Sequence, residues 1–395
     1  MKRILAIILV LLMVTLTFAS CKKVQNNGSD VSDTSGETLS QSPDNDNKGN
    51  EETKDNGDNK NDDGNKDENL NKDENLNKDE ISNGENNDGG EENGGNKEPD
   101  GNVEALYVKN GSNVEFGSYP QSSVNDLDLI DTLNQKAGEL PTTSDPKNWT
   151  SYEYYDDGLS SDYMWYIDVE ENGAKYRGVY FTSYRPKQAL DASNEANSEQ
   201  DDNGYFIDTT YWFEYEPIRW TVLEEETGRA LIICDLVIDS QEYDFSSNSY
   251  ANSAIRKWLN DDFYNTAFGD LQQEIIETTV VDNSVASTGY EKNPYASANT
   301  NDKIFLLSRA EVKNTAYSIS TVANRLKQAT DYANVQGKYV DGTNVGWWWL
   351  RSPLCDGSGD ESAIAHRIKT DGTIHSVNVN LTSGGIVPAL WITLS

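Results

Sequence analysis

The sequence predicts an α+β fold for residues 103–395, because strands and helices occupy separate stretches of the chain instead of alternating. Two strand pairs around short turns come first, at 164–183 and 218–235. Helix-like patterns follow between 253 and 334, and strand-like segments return from 347 to the end. A regular alternation of strands and helices would instead indicate a parallel, doubly wound sheet.

The predicted strands are rich in β-branched and aromatic residues and are bounded by turn residues. Two turns are short enough to define hairpins, because Asn172-Gly173 and Thr227-Gly228 contain residues that tolerate positive φ angles. The arm Arg229–Asp235 is apolar on both faces, which predicts a buried central strand. The strand-like segments, in order, are Val114–Tyr119, Met164–Val169, Lys175–Ser183, Ile218–Glu224, Arg229–Asp235, Lys303–Leu307, Trp347–Arg351, Ala363–Ile368, Thr373–Val379 and Val387–Thr393.

Helices are predicted where apolar residues recur at helical spacing after a capping residue. Ser253 precedes Ile255, Trp258 and Leu259, which share one helix face. Two further starts have the pattern of a capping box, in which a side chain three residues on reaches back to the first amide. These starts are Asp270 with Gln273 and Ser308 with Glu311, and a last helix is predicted over Val322–Asn334, closed by Gly337.

Residues 1–20 have the pattern of an export signal. Two basic residues precede an apolar run at Ile4–Phe18, and Ala19-Ser20 comes directly before Cys21. This order resembles a bacterial lipoprotein signal, in which the cysteine is retained and acylated. The alternatives are an ordinary secretory cleavage near Ala19 and a retained membrane helix, for which about fifteen apolar residues fall short of the ~20 that span a bilayer. All three export the remainder of the chain.

Residues 21–102 are predicted to form a disordered acidic tether. They consist mainly of Asn, Asp, Glu, Gly and Lys, and the unit Asn65–Leu70 recurs at Asn71–Leu76. Leucine is the only recurring apolar residue, so burial cannot offset the entropy cost of ordering this segment. The tether is therefore expected to hold the folded domain away from the membrane, at the extracellular face of the cell.

The chain carries a formal net charge of −35, and acidic residues exceed basic ones in both the tether and the domain. Such a chain repels phosphate backbones and anionic headgroups, so nucleic-acid binding and electrostatic membrane docking are disfavoured. The expected partners are the membrane, through the lipid on Cys21, and a glycan or protein ligand of the cell surface. Cys234 and Cys355 would permit one disulfide outside the cell, but the apolar run around Cys234 favours a buried free thiol.

Candidate ligand-binding residues cluster around the Trp-rich strand. Trp347 and Trp349 face one way on this strand and Trp348 the other, which suits core packing or, alternatively, stacking on a glycan. Arg351 has a planar set of donors suited to carboxylates, and an internal ion pair is its favoured role in so acidic a chain. His366 alternates with apolar residues, which favours a hydrogen-bonded core histidine over a ligand-facing one.

The loop Asp356–Glu361 combines three carboxylates with flexible glycines, the composition that a calcium site needs. Asp356, Asp360 and Glu361 are therefore candidate calcium ligands and candidate ligand-binding residues, with a solvated acidic turn as the alternative. No other cofactor is predicted. The usual motifs of zinc hydrolases, serine esterases, phosphate loops and thioredoxins do not occur, so no catalytic residue is assigned.

Several short segments resemble, in the same order, one family of bacterial secreted domains of unknown function, numbered 6273. The stretch at about 125–211 looks like an insertion in that domain. The family implies no activity, and its ending is similar to the C-type-lectin-like fold shared with formylglycine-generating enzymes, which implies architecture alone. The resembling segments are Phe116–Gln121, Glu216–Leu223, Ile255–Asn260, Phe263–Phe268, Asp302–Ser308, Trp348–Pro353 and Val387–Trp391.

These observations predict a lipid-anchored extracellular protein whose domain is a binding or interaction module for glycan, wall or protein ligands. The first alternative is an extracellular enzyme that acts on wall glycan or peptide through the Asp356–Glu361 loop and His366. The second alternative is a structural surface protein without a small ligand. Enzymatic activity is the less favoured reading of the sequence, because no motif supplies it.

Overall fold

The computed structural model describes residues 106–152, 164–183, 203–339 and 342–394. Within these ranges no helix is long and apolar enough to cross a membrane. The predicted signal peptide, Cys21 and the tether lie outside the described residues, as does part of the aromatic-rich insertion. The described residues all belong to one compact unit, and their mixture of strands and helices confirms the predicted α+β class.

The described residues form one large antiparallel sheet of eight strands. Six of its strands are hydrogen-bonded in the order β1-β2-β6-β5-β4-β3. The strand β7 pairs with β6 on one side and with β17 on the other. The long strand β6 pairs with β5 through its first half and with β7 through its second half. The strands are β1 Val108–Asn110, β2 Asn113–Ser123, β3 Thr150–Ser151, β4 Met164–Glu171, β5 Ala174–Phe181, β6 Thr210–Glu226, β7 Arg229–Cys234 and β17 Ala389–Thr393.

Both predicted hairpins are present in this sheet. Asn172 and Gly173 join β4 to β5 with φ angles of 51° and 82°, the backbone region that the sequence predicts for this turn. Gly228, with φ of 82°, turns β6 back onto β7. The arm β7 is buried almost throughout, which confirms the predicted central strand.

A second sheet of five strands lies in the C-terminal half of the described chain. Its order is β15-β14-β13-β16-β8, with β13 and β16 parallel and the other neighbours antiparallel. The strands are β8 Asp239–Ser240, β13 Trp348–Pro353, β14 Ile364–Ile368, β15 Ile374–Asn378 and β16 Gly385–Ile386. Two short pairs complete the strand set: β9 Thr279–Val281 with β10 Thr300–Asp302, and β11 Lys327–Gln328 with β12 Val345–Gly346.

The helices are short, and most of them lie between β8 and β13 in the chain. Ser253 caps the second helix by accepting a hydrogen bond from the Arg256 amide, as the sequence predicts. Ser308 and Glu311 exchange hydrogen bonds between side chain and amide, which confirms the predicted capping box. The helices are α1 Leu127–Ala137, α2 Ala254–Trp258, α3 Tyr264–Ala267, α4 Asp270–Glu274, α5 Val285–Thr288 and α6 Asp331–Val335, with a π-helical turn, Leu259–Phe263, between α2 and α3.

Two predicted elements are wrong, and the start of a third differs by one residue. The helix over Val322–Asn334 is replaced by a 3₁₀ turn, the strand β11 and the helix α6. The buried Arg325 guanidinium donates to backbone carbonyls of Val312 and Ser320, which holds the chain in turns. The strand at Lys303–Leu307 reduces to one bridge at Phe305, and α4 begins one residue earlier than its predicted capping box, with Gln272 instead of Gln273 bonded to the first amide.

Two apolar cores support these elements. The larger core joins both sheets and the short helices. The smaller core forms where α1 packs on β4 and β5, and it includes Trp149, Trp165 and Trp212. Trp165 and Tyr152, two aromatic residues of the predicted insertion, are each 3% exposed, so both rings are packed inside the fold.

Candidate binding pocket

All three tryptophans of the Trp-rich segment lie in the core. Trp347 is 2% exposed, and Trp348 and Trp349 are fully buried. The indole Nε1 of Trp348 donates to the Arg325 carbonyl at 3.1 Å, and that of Trp349 donates to the Gln241 carbonyl at 2.9 Å. These rings therefore act first as packing groups, the alternative that the sequence favours for buried tryptophans.

Arg351 is also internal, at 2% exposure. Its guanidinium makes a two-pronged ion pair with the Glu311 carboxylate, and the Nη2–Oε1 distance is 2.8 Å. It also donates to the Leu306 carbonyl at 2.7 Å. Arg351 thus makes the internal ion pair expected from the sequence. This pair joins β13 to the 3₁₀ turn Glu311–Lys313.

The acidic loop that follows β13 is organised by Glu361. This side chain is 2% exposed, and its Oε1 accepts hydrogen bonds from the amides of Asp356 at 3.2 Å and Ser358 at 2.9 Å. Asp356 and Asp360 are exposed and accept amide hydrogen bonds within the loop. Across the described ranges, no group of three or more His, Cys, Asp or Glu is arranged to hold a metal ion.

His366 uses both ring nitrogens inside the fold. Its Nδ1 lies 3.1 Å from the His375 carbonyl, which makes Nδ1 the donor, and its Nε2 lies 3.1 Å from the Tyr290 hydroxyl. Burial lowers the pKa of His366 to about 4. The imidazole is therefore neutral near pH 7. Its Nε2, the nitrogen that could accept a proton from a substrate, is already hydrogen-bonded to the Tyr290 hydroxyl.

Arg367, the next residue on β14, points to the opposite face of the strand. Its guanidinium carbon lies 4.5 Å from the centre of the Trp347 ring, a cation–π contact. Burial lowers the pKa of Arg367, and its Nε is buried without a hydrogen-bond partner. Within the described ranges Arg367 forms no ion pair, so this cation is held against an aromatic ring with its charge unmatched.

Arg367 forms one wall of a pocket of about 330 Å³, called here the Arg367 pocket. The described lining holds two cationic side chains, three hydroxyl-bearing ones and no Asp or Glu. Tyr339 and Leu381 are 36% and 37% exposed and form its open rim. The described residues that line the pocket are Tyr339, Trp347, Arg367, Lys369, Thr370, Val377, Leu381 and Ser383.

A larger cleft of about 620 Å³ has the opposite charge. Its lining includes Glu115, Glu214, Glu216 and Asp331, with Arg219 beside Glu115 at 3.8 Å. Two of these carboxylates already accept hydrogen bonds from within the fold, since Glu216 and Asp331 bind the Ser122 hydroxyl and the Ser123 amide. A solvated acidic surface accounts for this cleft without a ligand.

A third cavity, of about 20 Å³, lies at a buried polar network between the two sheets. The Tyr119 hydroxyl donates to Asp239 at 2.6 Å. Arg177 pairs with Asp168 through two hydrogen bonds and reaches the Tyr332 hydroxyl at 3.3 Å. Space on this scale holds about one water molecule, so the network joins the sheets and leaves no room for a larger ligand.

Comparison with known protein families gives a match over part of the chain. Residues 227–394 match the family model described as domain of unknown function (DUF6273), which confirms the predicted resemblance over that stretch. The two resembling segments at 116–121 and 216–223 precede the matched stretch. No curated protein and no solved structure matches the chain. All described residues that line the Arg367 pocket lie within the matched stretch, whereas the acidic cleft takes part of its lining from residues before it.

Of the eight predicted ligand-binding residues, Trp347 alone is among the described residues that line the Arg367 pocket. Sequence reasoning chose His366 and missed its neighbour Arg367 and the second cation, Lys369. One signal was available: Arg367 lies in the predicted strand Ala363–Ile368 and Lys369 follows directly after that strand, so two cations occur two residues apart in a strongly acidic chain. Tyr339, Leu381 and Ser383 carried no such signal, because they come from distant loops.

Proposed function

We propose that this protein is a lipid-anchored surface protein on the extracellular face of the cell membrane. In this proposal its α+β domain is C-type-lectin-like and binds a glycan, wall or protein ligand in the Arg367 pocket. The observation that carries the proposal is the Arg367 guanidinium, whose carbon lies 4.5 Å from the Trp347 ring centre, whose Nε has no hydrogen-bond partner, and which forms no ion pair within the described residues. A half-buried cation without a counter-charge is costly, and a ligand that supplies the missing acceptors would offset this cost.

Support for the lectin-like architecture comes from the order of the closing elements. The Trp-rich strand β13, a loop, the β14–β15 hairpin and the final strand β17 follow one another as in that fold. The pocket opens beside this hairpin, next to the loop that returns to β16. The support is an analogy of architecture, and the ligand is argued from the pocket alone.

The enzyme alternative depends on His366 and the acidic loop. The structure gives both ring nitrogens of His366 partners inside the fold, and Glu361 faces the loop amides. This arrangement favours a structural role for these residues. The proposal therefore assigns ligand binding to the other face of β14.

Binding should depend on the pocket and not on cationic residues in general. The purified full chain is expected to bind isolated cell-wall material or an arrayed glycan. Tyr339→Ala and Arg367→Gln are each expected to weaken that binding at least about tenfold, the effect of losing one ring contact or charge-assisted hydrogen bond. Arg219→Gln is the matched control, because Arg219 is 74% exposed and lines the acidic cleft.

Thermal unfolding of each variant shows whether a binding loss is a folding defect. Tyr339 is on the rim, so its replacement is expected to leave the unfolding midpoint within a few degrees of wild type. Equal binding by wild type, Tyr339→Ala and Arg367→Gln would remove the pocket from the proposal. Absence of binding to every wall fraction, glycan and surface protein would favour the structural alternative.

The membrane anchor is tested separately through Cys21. Cys21→Ala is expected to abolish incorporation of labelled palmitate and to move the protein out of the detergent phase, or to leave an uncleaved precursor. Cys355→Ala is the matched control, because Cys355 is a free cysteine of the folded part. If Cys21→Ala incorporates as much label as wild type, the anchor is not on Cys21.

A further inference from the structure

The charge of the Arg367 pocket differs from that of the protein around it. The chain has 67 acidic and 32 basic residues, yet the described lining of the pocket contains Arg367 and Lys369 and no carboxylate. Lys369 pairs with Asp371 at 3.1 Å on the exposed side, and both partners face water. Screening by solvent weakens this exposed pair, so Lys369 can still act on an anion in the pocket.

The geometry of Arg367 suits a flat anionic group. The guanidinium carbon lies over the Trp347 ring, 4.5 Å from its centre, and the N–H donors of a guanidinium lie in the plane of that group. Carboxylates and phosphates bind guanidinium in this plane through paired hydrogen bonds. The contact with Trp347 restricts the side chain before a ligand arrives, which lowers the entropy cost of binding.

The remaining walls suit a saccharide. Leu381 and Val377 present apolar surface, and Tyr339 presents an aromatic ring that is 36% exposed. Thr370 and Ser383 add hydroxyl groups to the same lining. A sugar ring has one apolar face and a rim of hydroxyls, so it can satisfy both kinds of wall. A volume of about 330 Å³ is at the small end of ligand pockets, which suits one or two sugar units.

We infer that the Arg367 pocket binds an anionic saccharide, whose carboxylate or phosphate pairs with Arg367 while its ring lies against Tyr339 and Leu381. This inference rests on the proposed function and names the ligand class for the same site. The strongly acidic chain adds to the selectivity of the pocket, because the net charge of the protein repels an anion whereas the two cations in the lining attract it. Peptide carboxylates share the charge but lack the hydroxyl rim.

Calorimetric titration of the purified full chain with four probes tests the inference. The probes form two matched pairs: digalacturonate with its dimethyl ester, and N-acetylglucosamine 6-phosphate with N-acetylglucosamine. The anionic member of at least one pair is expected to bind at least about tenfold more tightly than its neutral partner, the effect of a charge-assisted hydrogen-bond pair. Raising the salt concentration is expected to reduce that preference, since both cations are partly exposed.

Variants connect the preference to the pocket. Arg367→Lys keeps the charge but not the paired donors, and it is expected to lose most of the preference; Arg219→Gln is expected to keep it. Tyr339→Ala, which leaves both cations in place, is expected to weaken the anionic and neutral probes alike. A preference shown by only one pair identifies carboxylate or phosphate as the recognised group.

Three results would overturn the inference in different ways. If neutral and anionic probes bind equally and Tyr339→Ala weakens both, the pocket binds saccharides without charge selection, and the proposed function stands alone. If no saccharide probe binds but Gly-Ala-Ala with a free carboxyl end does, while its amide does not, the ligand is a peptide. If none of these probes and no wall fraction or surface protein binds, the proposed function fails as well.

Discussion

Replacing Trp349 by alanine is expected to lower the free energy of unfolding by about 3–5 kcal/mol, the cost of emptying a large buried aromatic site. The Trp349 ring is fully buried and lies 4.9 Å from Trp347 and 5.6 Å from Tyr243, measured between ring centres. Its Nε1 donates to the Gln241 carbonyl, which would lose this partner. Denaturant titration of the variant against wild type measures the loss.

The surroundings of Trp349 leave little room to compensate. A Cβ placed on Gly384 would come within 1.8 Å of the Trp349 Nε1, so the backbone of that loop packs directly on the indole ring. The control is Phe245→Ala, since Phe245 is 67% exposed and its removal is expected to change stability by less than about 0.5 kcal/mol. A Trp349→Ala loss below about 1 kcal/mol would show that the ring is not in a close-packed core.

Stability is expected to fall as the pH rises from about 4 to about 7, because of one buried carboxyl group. Burial raises the pKa of Asp239 to about 7, and this exceeds the lowering by its hydrogen bonds from the Tyr119 hydroxyl and the Ser240 amide. The folded protein therefore holds the Asp239 proton more tightly than the unfolded chain. The stability that this proton contributes is fully present below pH 4 and is lost as the pH passes about 7.

The size of this effect follows from the two pKa values. The difference between about 7 in the fold and the ordinary 3.8 corresponds to about 4 kcal/mol at most. Unfolding of wild type and Asp239→Asn is compared at pH 4.5 and pH 8, since asparagine keeps the shape and removes the titration. The change between the two pH values is expected to be smaller in Asp239→Asn by several kcal/mol.

A matched control separates Asp239 from the many other carboxyl groups of this chain. Asp131→Asn removes a solvent-exposed carboxyl on α1 and is expected to keep the wild-type pH dependence. If Asp239→Asn and Asp131→Asn respond to pH in the same way, the Asp239 carboxyl does not carry the effect. The hydrogen bond from Tyr119 on β2 to Asp239 on β8 then acts only as a neutral link between the sheets.

Elements fixed by neighbouring residues could be predicted from the sequence. The hairpin turn at Asn172-Gly173 depends on φ angles that these two residues adopt easily, and the Ser253 cap depends on a hydroxyl three residues from an amide. Val322–Asn334 shows the opposite case. Its residues favour a helix locally, but the side chain of Arg325 finds buried carbonyls elsewhere in the fold, and these hydrogen bonds decide the backbone path.

The candidate site shows the same division. Alternation along β14 places His366 and Arg367 on opposite faces, but the sequence does not show which of the two faces distant residues close. On one face of β14 the Tyr290 hydroxyl is hydrogen-bonded to His366. On the other face Arg367 lies beside the Trp347 ring. Tyr290 is 76 positions from His366 in the chain, so no local pattern could indicate this contact.

The sequence by itself determined the α+β class, the two hairpins, the unusual Trp-rich strand and the resemblance to a family of unknown function. These depend on composition, on residue spacing and on turns closed by adjacent residues. The tertiary structure alone decided that Arg367 has no counter-charge among the described residues and which loops surround it. Pairing Arg351 with Glu311, 40 positions away, buries one arginine inside the fold, whereas the packing of distant loops leaves Arg367 at the wall of a pocket. Burial and pairing are properties of residues far apart in the chain, and they exist only once it is folded.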